Sequence, residues 1–343
     1  MKKILIIIIL LCISTPVKAS CTLVMDASSG RVLFGENEHT KHLIASTTKI
    51  MTAFVTLNNS DINKKTKVGD EVIDAYGSAI YIKPGEVLTI KDLLYGLLLR
   101  SGNDAALTLS KEIGGSSLGM AKLMNETALA IGMKDTKFYN PHGLDEETQN
   151  LSTCYDMALL LKEAIKNKEF RKISKTKKYN LKTNFNTYSW YNKNKLLSIY
   201  KYAQGGKIGY TKRAGHAFVS YAKKGDKTLI ISSLKDSDIF NHHKRLYEKY
   251  FDLYKNYKLI DKNNLHINFD NNYNVYTLSS YNILLKKDEL NQVKREVKLY
   301  NSINYKEKNT VVGKITIKLN NQSLVEKNIY AVKKKKVFKK LLK

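Results

Sequence analysis

The hydrophobic period of this chain changes once, near Tyr257, and that change limits what the chain can fold into. Before it, apolar residues recur at helical intervals. Ile50, Met51, Phe54 and Val55 mark a buried helix starting near Ser46. Lys91 to Leu99 mark another, which breaks at Arg100-Ser101-Gly102-Asn103 and resumes from Asp104 through Ile113. Met120 to Ile131, Thr153 to Ile165 and Asp238 to Tyr257 are further helices by the same reading. Short strands are expected on both sides of a Ser28-Ser29-Gly30 turn, and at Lys207 to Tyr210, Ala217 to Tyr221 and Thr228 to Ser233. Lys172 to Tyr200 is polar, with Tyr and Asn among lysines, and reads as a twisted hairpin on a rim. After Tyr257, Leu265, Ile267 and Phe269 alternate, and so do Ile315, Ile317 and Leu319. Strict alternation means half-buried antiparallel strands. The chain therefore divides into an α/β (α+β) domain over residues 20–258 and a small all-β domain over 259–330.

The two ends bear on location. Met1-Lys2-Lys3, the short apolar run Ile4 to Ile13 and the small residues around Val17-Lys18-Ala19 have the order of a secretory signal peptide over 1–19. Residues 331–343 are a lysine run in which Val337, Phe338, Leu341 and Leu342 form one helical stripe. Such a segment suits an anionic bilayer surface. Lys+Arg number 58 against 31 Asp+Glu, a formal net charge of +27. That excess points to an anionic partner, or to a coding bias spread over a solvated surface. Export argues against nucleic acid. Cys21 and Cys154 remain once Cys12 leaves with the signal peptide. They could pair in an oxidising compartment, or both could be free.

Chemistry concentrates at Ser46-Thr47-Thr48-Lys49. Residues three apart share a helix face, so Ser46 and Lys49 can touch. A desolvated lysine beside a serine can take its proton and make it a nucleophile. The bland alternative is a serine N-cap. The spacing alone decides nothing, because Ser174, Ser198, Ser220 and Ser232 also begin S-x-x-K. Two later motifs add weight: Ser101-Gly102-Asn103 between two helices, and Lys207-Ile208-Gly209 on a strand, followed by Tyr210-Thr211. S-x-x-K, then S-x-N, then K-T-G is the triple of penicillin-binding proteins and serine β-lactamases. Each piece recurs elsewhere by chance. The order and the helix–loop–strand contexts together are specific.

On these motifs, and on Gly30 to Phe34, Phe138 to Leu144, Asn194 to Leu197 and Lys207 to Gly215, the chain resembles the penicillin-binding D-alanyl-D-alanine carboxypeptidases, the low-molecular-mass serine DD-peptidases. The resemblance implies a transpeptidase/β-lactamase-like domain with a mostly antiparallel sheet flanked by helices. It implies a small β domain next, and then an amphipathic helix on the outer face of the inner membrane. Its chemistry is acyl transfer from peptidoglycan stem peptides, with β-lactams as covalent inhibitors. Ser46 would be the nucleophile, neutral Lys49 its base and Ser101 a proton relay. Asn103 would hold the substrate amide, and Lys207 its terminal carboxylate. Gly209, Tyr210 and Thr211 would line the substrate strand, with the Ser46 and Tyr210 N–H groups as oxyanion hole. No metal or cofactor is expected, and His142 reads as structural. A β-lactamase would need a placed glutamate. Glu146 and Glu147 read instead as surface residues.

Two departures stand out. Ile208 occupies the threonine position of K-T-G. The arginine that aids the same carboxylate falls near Ile239, with Arg245 able to replace it only through a register shift. Both weaken terminal-carboxylate recognition, which keeps a second reading open: a relative that binds penicillin and cell wall without turning over.

Overall fold

The computed structural model describes residues 20–270, 272–300 and 310–334. The expected signal peptide and all but the start of the lysine-rich tail lie outside these residues. Among those described, no helix is long and apolar enough to cross a membrane.

The first unit is built on a five-stranded sheet. Its strands are β1 (Cys21–Asp26), β2 (Val32–Glu36), β3 (Ala203–Thr211), β4 (Gly215–Lys224) and β5 (Lys227–Leu234). The order is β2-β1-β5-β4-β3, and every pairing is antiparallel. Strand residues alternate between faces. Leu23 and Met25 of β1 face one core, with Val219 and Tyr221 of β4, while Val24, Phe218 and Ile231 face another. Both faces are therefore covered. Helices α1 (Lys49–Asn59), α2 (Ile90–Tyr95), α3 (Asn103–Gly114), α4 (Ser117–Ala130), α5 (Cys154–Ala164) and α6 (Lys168–Lys175) make the first layer. Helix α7 (Ile239–Leu253) covers the other face through Tyr247, Tyr250 and Phe251. Under α7, buried His243 accepts or donates to Ser220 and Ser233 at 2.7 and 3.0 Å. Burial pushes its pKa down to about 3, so it is a neutral core imidazole.

Three expectations need correction. Lys168–Lys175, at the start of the polar stretch read as a hairpin, is a helix capped by Asn167; the hairpin itself is Lys178–Lys182 with Thr187–Tyr191. The helix expected to reach Tyr257 ends at Leu253, and Lys255–Ile260 is strand β6. Leu265, Ile267 and Phe269 are in no strand, although they pack on an apolar cluster. Their alternation reports burial on one side, which contacts with that cluster supply without strand geometry at these three described residues. The expected Lys91–Leu99 helix exists but changes character: α2 gives way to a π-turn over Gly96–Arg100.

The second unit is all β. Strand β6 pairs with β8 (Tyr281–Leu285). Strands β7 (Tyr273–Tyr276), β9 (Val293–Leu299), β10 (Thr310–Leu319) and β11 (Gln322–Lys333) form a sheet of order β7-β11-β10-β9. Ile315, Ile317 and Leu319 are buried in alternation, as the sequence requires. Arg31 of the first unit pairs with Glu289 and donates to the Leu284 carbonyl at 2.8 Å. Asp26 accepts the Leu284 N–H at 3.2 Å.

Cys21 and Cys154 form a disulfide that ties β1 to the first turn of α5, 133 residues on. Both are fully buried. A bridge closing a loop this long narrows the unfolded ensemble. Replacing both cysteines by serine is expected to lower stability by about 2–5 kcal/mol. Urea unfolding of the two proteins under oxidising conditions checks this.

Candidate active site

Ser46 lies on a single 3-10 turn, Ala45–Thr48, that opens α1. The Thr47 N–H and hydroxyl both donate to the Ile44 carbonyl, at 3.1 and 2.6 Å. The serine does not cap the helix with its side chain. Ala45 before it has φ 45°. A left-handed non-glycine residue costs of order 1–3 kcal/mol and persists only where the surroundings enforce it. Here Gly143 packs directly against the Ala45 carbonyl. A Cβ at Gly143 would lie 1.9 Å from the Ala45 carbonyl oxygen, and its own φ is +88°. The Asn140-Pro141-His142-Gly143 loop thus presses on the turn that presents Ser46.

Lys49 is fully buried. Its Nζ lies 2.9 Å from Ser46 Oγ, 2.7 Å from Asn103 Oδ1 and 2.7 Å from the His142 carbonyl. Burial, then the charges of Lys207 and Lys193, push its pKa well below the usual lysine value. Nζ donates to all three oxygens. Loss of a proton would leave two N–H donors for Asn103 and His142 and a lone pair facing the Ser46 hydroxyl. Asn103 is itself held, because its Nδ2 donates to the Tyr76 carbonyl at 2.6 Å.

Ser101 follows the π-turn with φ 66°, the second strained non-glycine position at the site. π-turns inside helices recur at functional sites. Ser101 Oγ accepts from Lys207 Nζ at 3.0 Å, and that ammonium also donates to the Ile208 carbonyl at 2.7 Å. Burial and the nearby Lys193 bring the Lys207 pKa down to about 7. Lys207 reaches the site because β3 is the edge strand and packs directly on the Ala45–Thr48 turn. Gly209 permits that approach: a Cβ there would lie 2.8 Å from the Ser46 nitrogen and 2.9 Å from that of Thr47. Ser46, Lys49, Ser101, Asn103, Lys207 and Gly209, drawn from three distant stretches, thus meet at one place.

The remaining assignments divide. Tyr210 is exposed, with its ring tilted over His216. The Thr211 hydroxyl donates to Asp145 at 2.6 Å and accepts the Ala214 N–H at 2.9 Å, which ties the strand to the loop after Gly143. The Ile208 side chain points away from Lys207 and packs with the apolar cluster of α7. Ile239 is buried at the start of α7, and Arg245 pairs with Asp238 on an exposed face. No arginine stands in for the expected one among these. Glu146 and Glu147 are exposed, and Glu146 raises the Tyr76 pKa to about 12. The His142 ring is a neutral structural group, its pKa pushed by burial to about 3. Its carbonyl, however, is a direct partner of Lys49, and the sequence reading missed this. It also missed Lys193, which bonds Ser78 Oγ at 3.1 Å and raises the potential at both buried lysines. No side-chain pattern marks a carbonyl as functional, and Lys193 is one lysine among many.

A lysine buried with a depressed pKa binds fewer protons folded than unfolded. The folded state therefore gains stability as pH rises from the lowered pKa toward the ordinary lysine value. Lys49→Met is expected to stabilise the protein at neutral pH by about 1–3 kcal/mol and to flatten the rise in stability between the lowered Lys49 pKa and the ordinary lysine value. Denaturant unfolding at several pH values checks both.

Comparison with known proteins fits this geometry. The family model Peptidase_S11, described as D-alanyl-D-alanine carboxypeptidase, matches residues 13–238. The D-alanyl-D-alanine carboxypeptidase DacF of Bacillus subtilis is 30% identical over 332 residues, which is 92% of this chain and 85% of DacF. Among solved structures, the D-alanyl-D-alanine carboxypeptidase DacD of Francisella tularensis superposes with a TM-score of 0.70 at 25% identity, covering 91% of this chain and 92% of that one. A D-alanyl-D-alanine carboxypeptidase of Mycobacterium tuberculosis gives 0.65 at 31% identity, covering 68% and 90%. A family match over most of the first unit, joined to a relative aligned along nearly the whole chain, means that this protein belongs to the D-alanyl-D-alanine carboxypeptidases of the S11 family of serine peptidases.

Proposed function

We propose that this protein removes the terminal D-alanine from peptidoglycan stem peptides through an acyl-enzyme on Ser46. The observation that carries the reading is the contact of 2.9 Å between Ser46 and a fully buried Lys49. Lys49 takes the Ser46 proton as Oγ bonds the carbonyl carbon of the penultimate D-alanine. The oxyanion forms against the Ser46 and Tyr210 N–H groups. The C–N bond then breaks, and the proton passes by way of Ser101 to the departing amine. Water attacks the ester next, with Lys49 again as base. Asn103 orients Lys49 and the substrate amide, and Lys207 draws the terminal carboxylate. Penicillins enter the same sequence and stop at the acyl-enzyme.

The same proposal covers location. The basic n-region, apolar run and small residues of 1–19 support export, and the disulfide suits an oxidising compartment such as the periplasm. The phased apolar residues of the lysine-rich tail support peripheral attachment to an anionic membrane surface.

A second reading, binding without turnover, draws on Ile208. Its side chain lies in the α7 cluster and offers no hydroxyl to a carboxylate. One lost hydrogen bond weakens transition-state binding by about ten- to a hundredfold, which slows an enzyme without abolishing it.

Fluorescent-penicillin labelling and D-alanine release, measured together on mature wild type and Ser46→Ala, test the proposal. Wild type is expected to label and to release D-alanine. Ser46→Ala is expected to lose both, with turnover down at least about ten-thousandfold. Labelling without release would establish the second reading, and labelling of Ser46→Ala would remove Ser46 as nucleophile. Ile208→Thr tests this reading: a rise in kcat/KM of about ten- to a hundredfold would mean that a hydroxyl at 208 reaches the carboxylate even though the side chain lies opposite Lys207. An unchanged value would mean that the hydroxyl has no part here.

The pH profile has a defined shape. Lys49 acts only when neutral, so kcat/KM rises with pH through its lowered pKa. Lys207 attracts a carboxylate only when charged, so kcat/KM falls as pH passes about 7. Stopped assays with a soluble pentapeptide read both limbs.

A further inference from the structure

Two cavities with no part in the chemistry above open beside the other end of β3. The smaller, about 520 Å³, is lined by Arg171, Lys172, Lys175 and Lys223, and by no carboxylate. The larger, about 810 Å³, shares Lys175 and Gln204 with it. It adds Lys177, Lys201, Lys224 and Lys244 against Glu248 and Asp252. Lys175 Nζ donates to Gln204 Oε1 at 2.8 Å on the wall the two share, and the adjoining cavities together make a basic trough. Eight cations line it against two carboxylates.

The trough is held open by fixed groups. The Arg171 guanidinium donates to the Ile165 and Lys166 carbonyls at 2.6 and 2.8 Å, which positions it at the end of α5. Lys201 and Lys224 both sit over the Tyr202 ring, at 5.0 and 5.7 Å from its centroid. Cations fixed in advance lose less conformational freedom when they bind an anion. Arg171, Lys172, Lys175, Lys177, Lys201 and Lys223 remain exposed. Lys172, Lys175 and Lys177 belong to the stretch in which tyrosines and asparagines are interleaved with lysines, and the catalytic reading leaves these three unused.

We propose that this trough binds the acidic, peptide-bearing glycan strand that carries the substrate, through the carboxylates of stem peptides next to the one being cleaved. The proposal rests on the carboxypeptidase reading. Gln204 lies three residues before Lys207 on the same strand, about 10 Å away at the strand rise per residue. A polymer engaged at Ser46 and long enough to follow β3 over that distance would bring neighbouring stems to the trough. The shape favours a chain over a lipid surface, because the exposed cations follow two adjoining concave cavities rather than one flat face. Opposite charge in a concave site raises local substrate concentration and association rate, and salt weakens both.

The test compares the mature protein with Lys172→Gln/Lys175→Gln/Lys223→Gln, and with a control carrying Lys65→Gln/Lys111→Gln/Lys134→Gln at exposed sites elsewhere. All three are sedimented with purified insoluble peptidoglycan at low and high salt, and with vesicles containing anionic lipid. The trough variant is expected to bind peptidoglycan about tenfold more weakly at low salt, a loss that high salt erases, while the control binds as wild type does. D-alanine release from a soluble pentapeptide is expected to be unchanged in both variants, and release from insoluble peptidoglycan to fall in the trough variant alone. Equal weakening in the control would reduce the effect to net charge and overturn the proposal. Unchanged peptidoglycan binding by the trough variant would overturn it too, and a loss confined to vesicles would assign the trough to lipid headgroups. If no protein cleaves the pentapeptide, the carboxypeptidase reading fails on its own, and sedimentation still reads the trough.

Discussion

Everything at this site depends on keeping one amine dry. Lys49 has no solvent exposure, and its Nζ is held by a hydroxyl, an amide oxygen and a backbone carbonyl. In water a lysine would be charged and useless as a base. Desolvation penalises the ammonium, and Lys207 adds a like charge nearby. Three partners suit the neutral form, which has two donors and one acceptor. The same burial opposes stability at neutral pH, so the site is bought at the expense of the fold around it.

The surroundings are arranged to hold that amine in place. Two non-glycine residues, Ala45 and Ser101, take left-handed backbone conformations next to or at the reactive serines. Gly143 and Gly209 let main chain approach main chain at the Ala45–Thr48 turn from two sides. The edge position of β3 matters equally. The edge leaves one side of the β3 backbone without a paired strand in that sheet, while the Lys207 side chain faces the helical layer, where Ser101 lies.

The substrate side is more open than the nucleophile side. Lys49 holds Ser46 and Asn103 in one set of hydrogen bonds, and Lys207 holds Ser101 in a second, both apart from any substrate. Ile208 and Ile239 instead give apolar surface to α7 where hydroxyl and guanidinium groups were expected. The basic trough along the start of β3 offers a different means of holding an anionic polymer, distributed over many weak contacts.

Much of this was legible in the sequence. Helical spacing and the S-x-x-K, S-x-N and K-x-G motifs singled out Ser46, Lys49, Ser101, Asn103 and Lys207, which the structure brings together, because such motifs are particular residue types at particular spacings. Alternation at Ile315, Ile317 and Leu319 located the β unit, but at Leu265, Ile267 and Phe269 it misled, since burial on one side does not require a partner strand. What remained hidden is what depends on the backbone of distant segments. The His142 carbonyl on Lys49, the glycine contacts at Ala45 and Ser46, the pairing of Cys21 with Cys154 and the joining of Lys175 to Gln204 carry no local pattern. The sequence determined which chemistry could occur, through residue identity and period. Tertiary structure alone decided which groups lose their water and which meet, because desolvation and contact are set by packing across segments far apart in the chain.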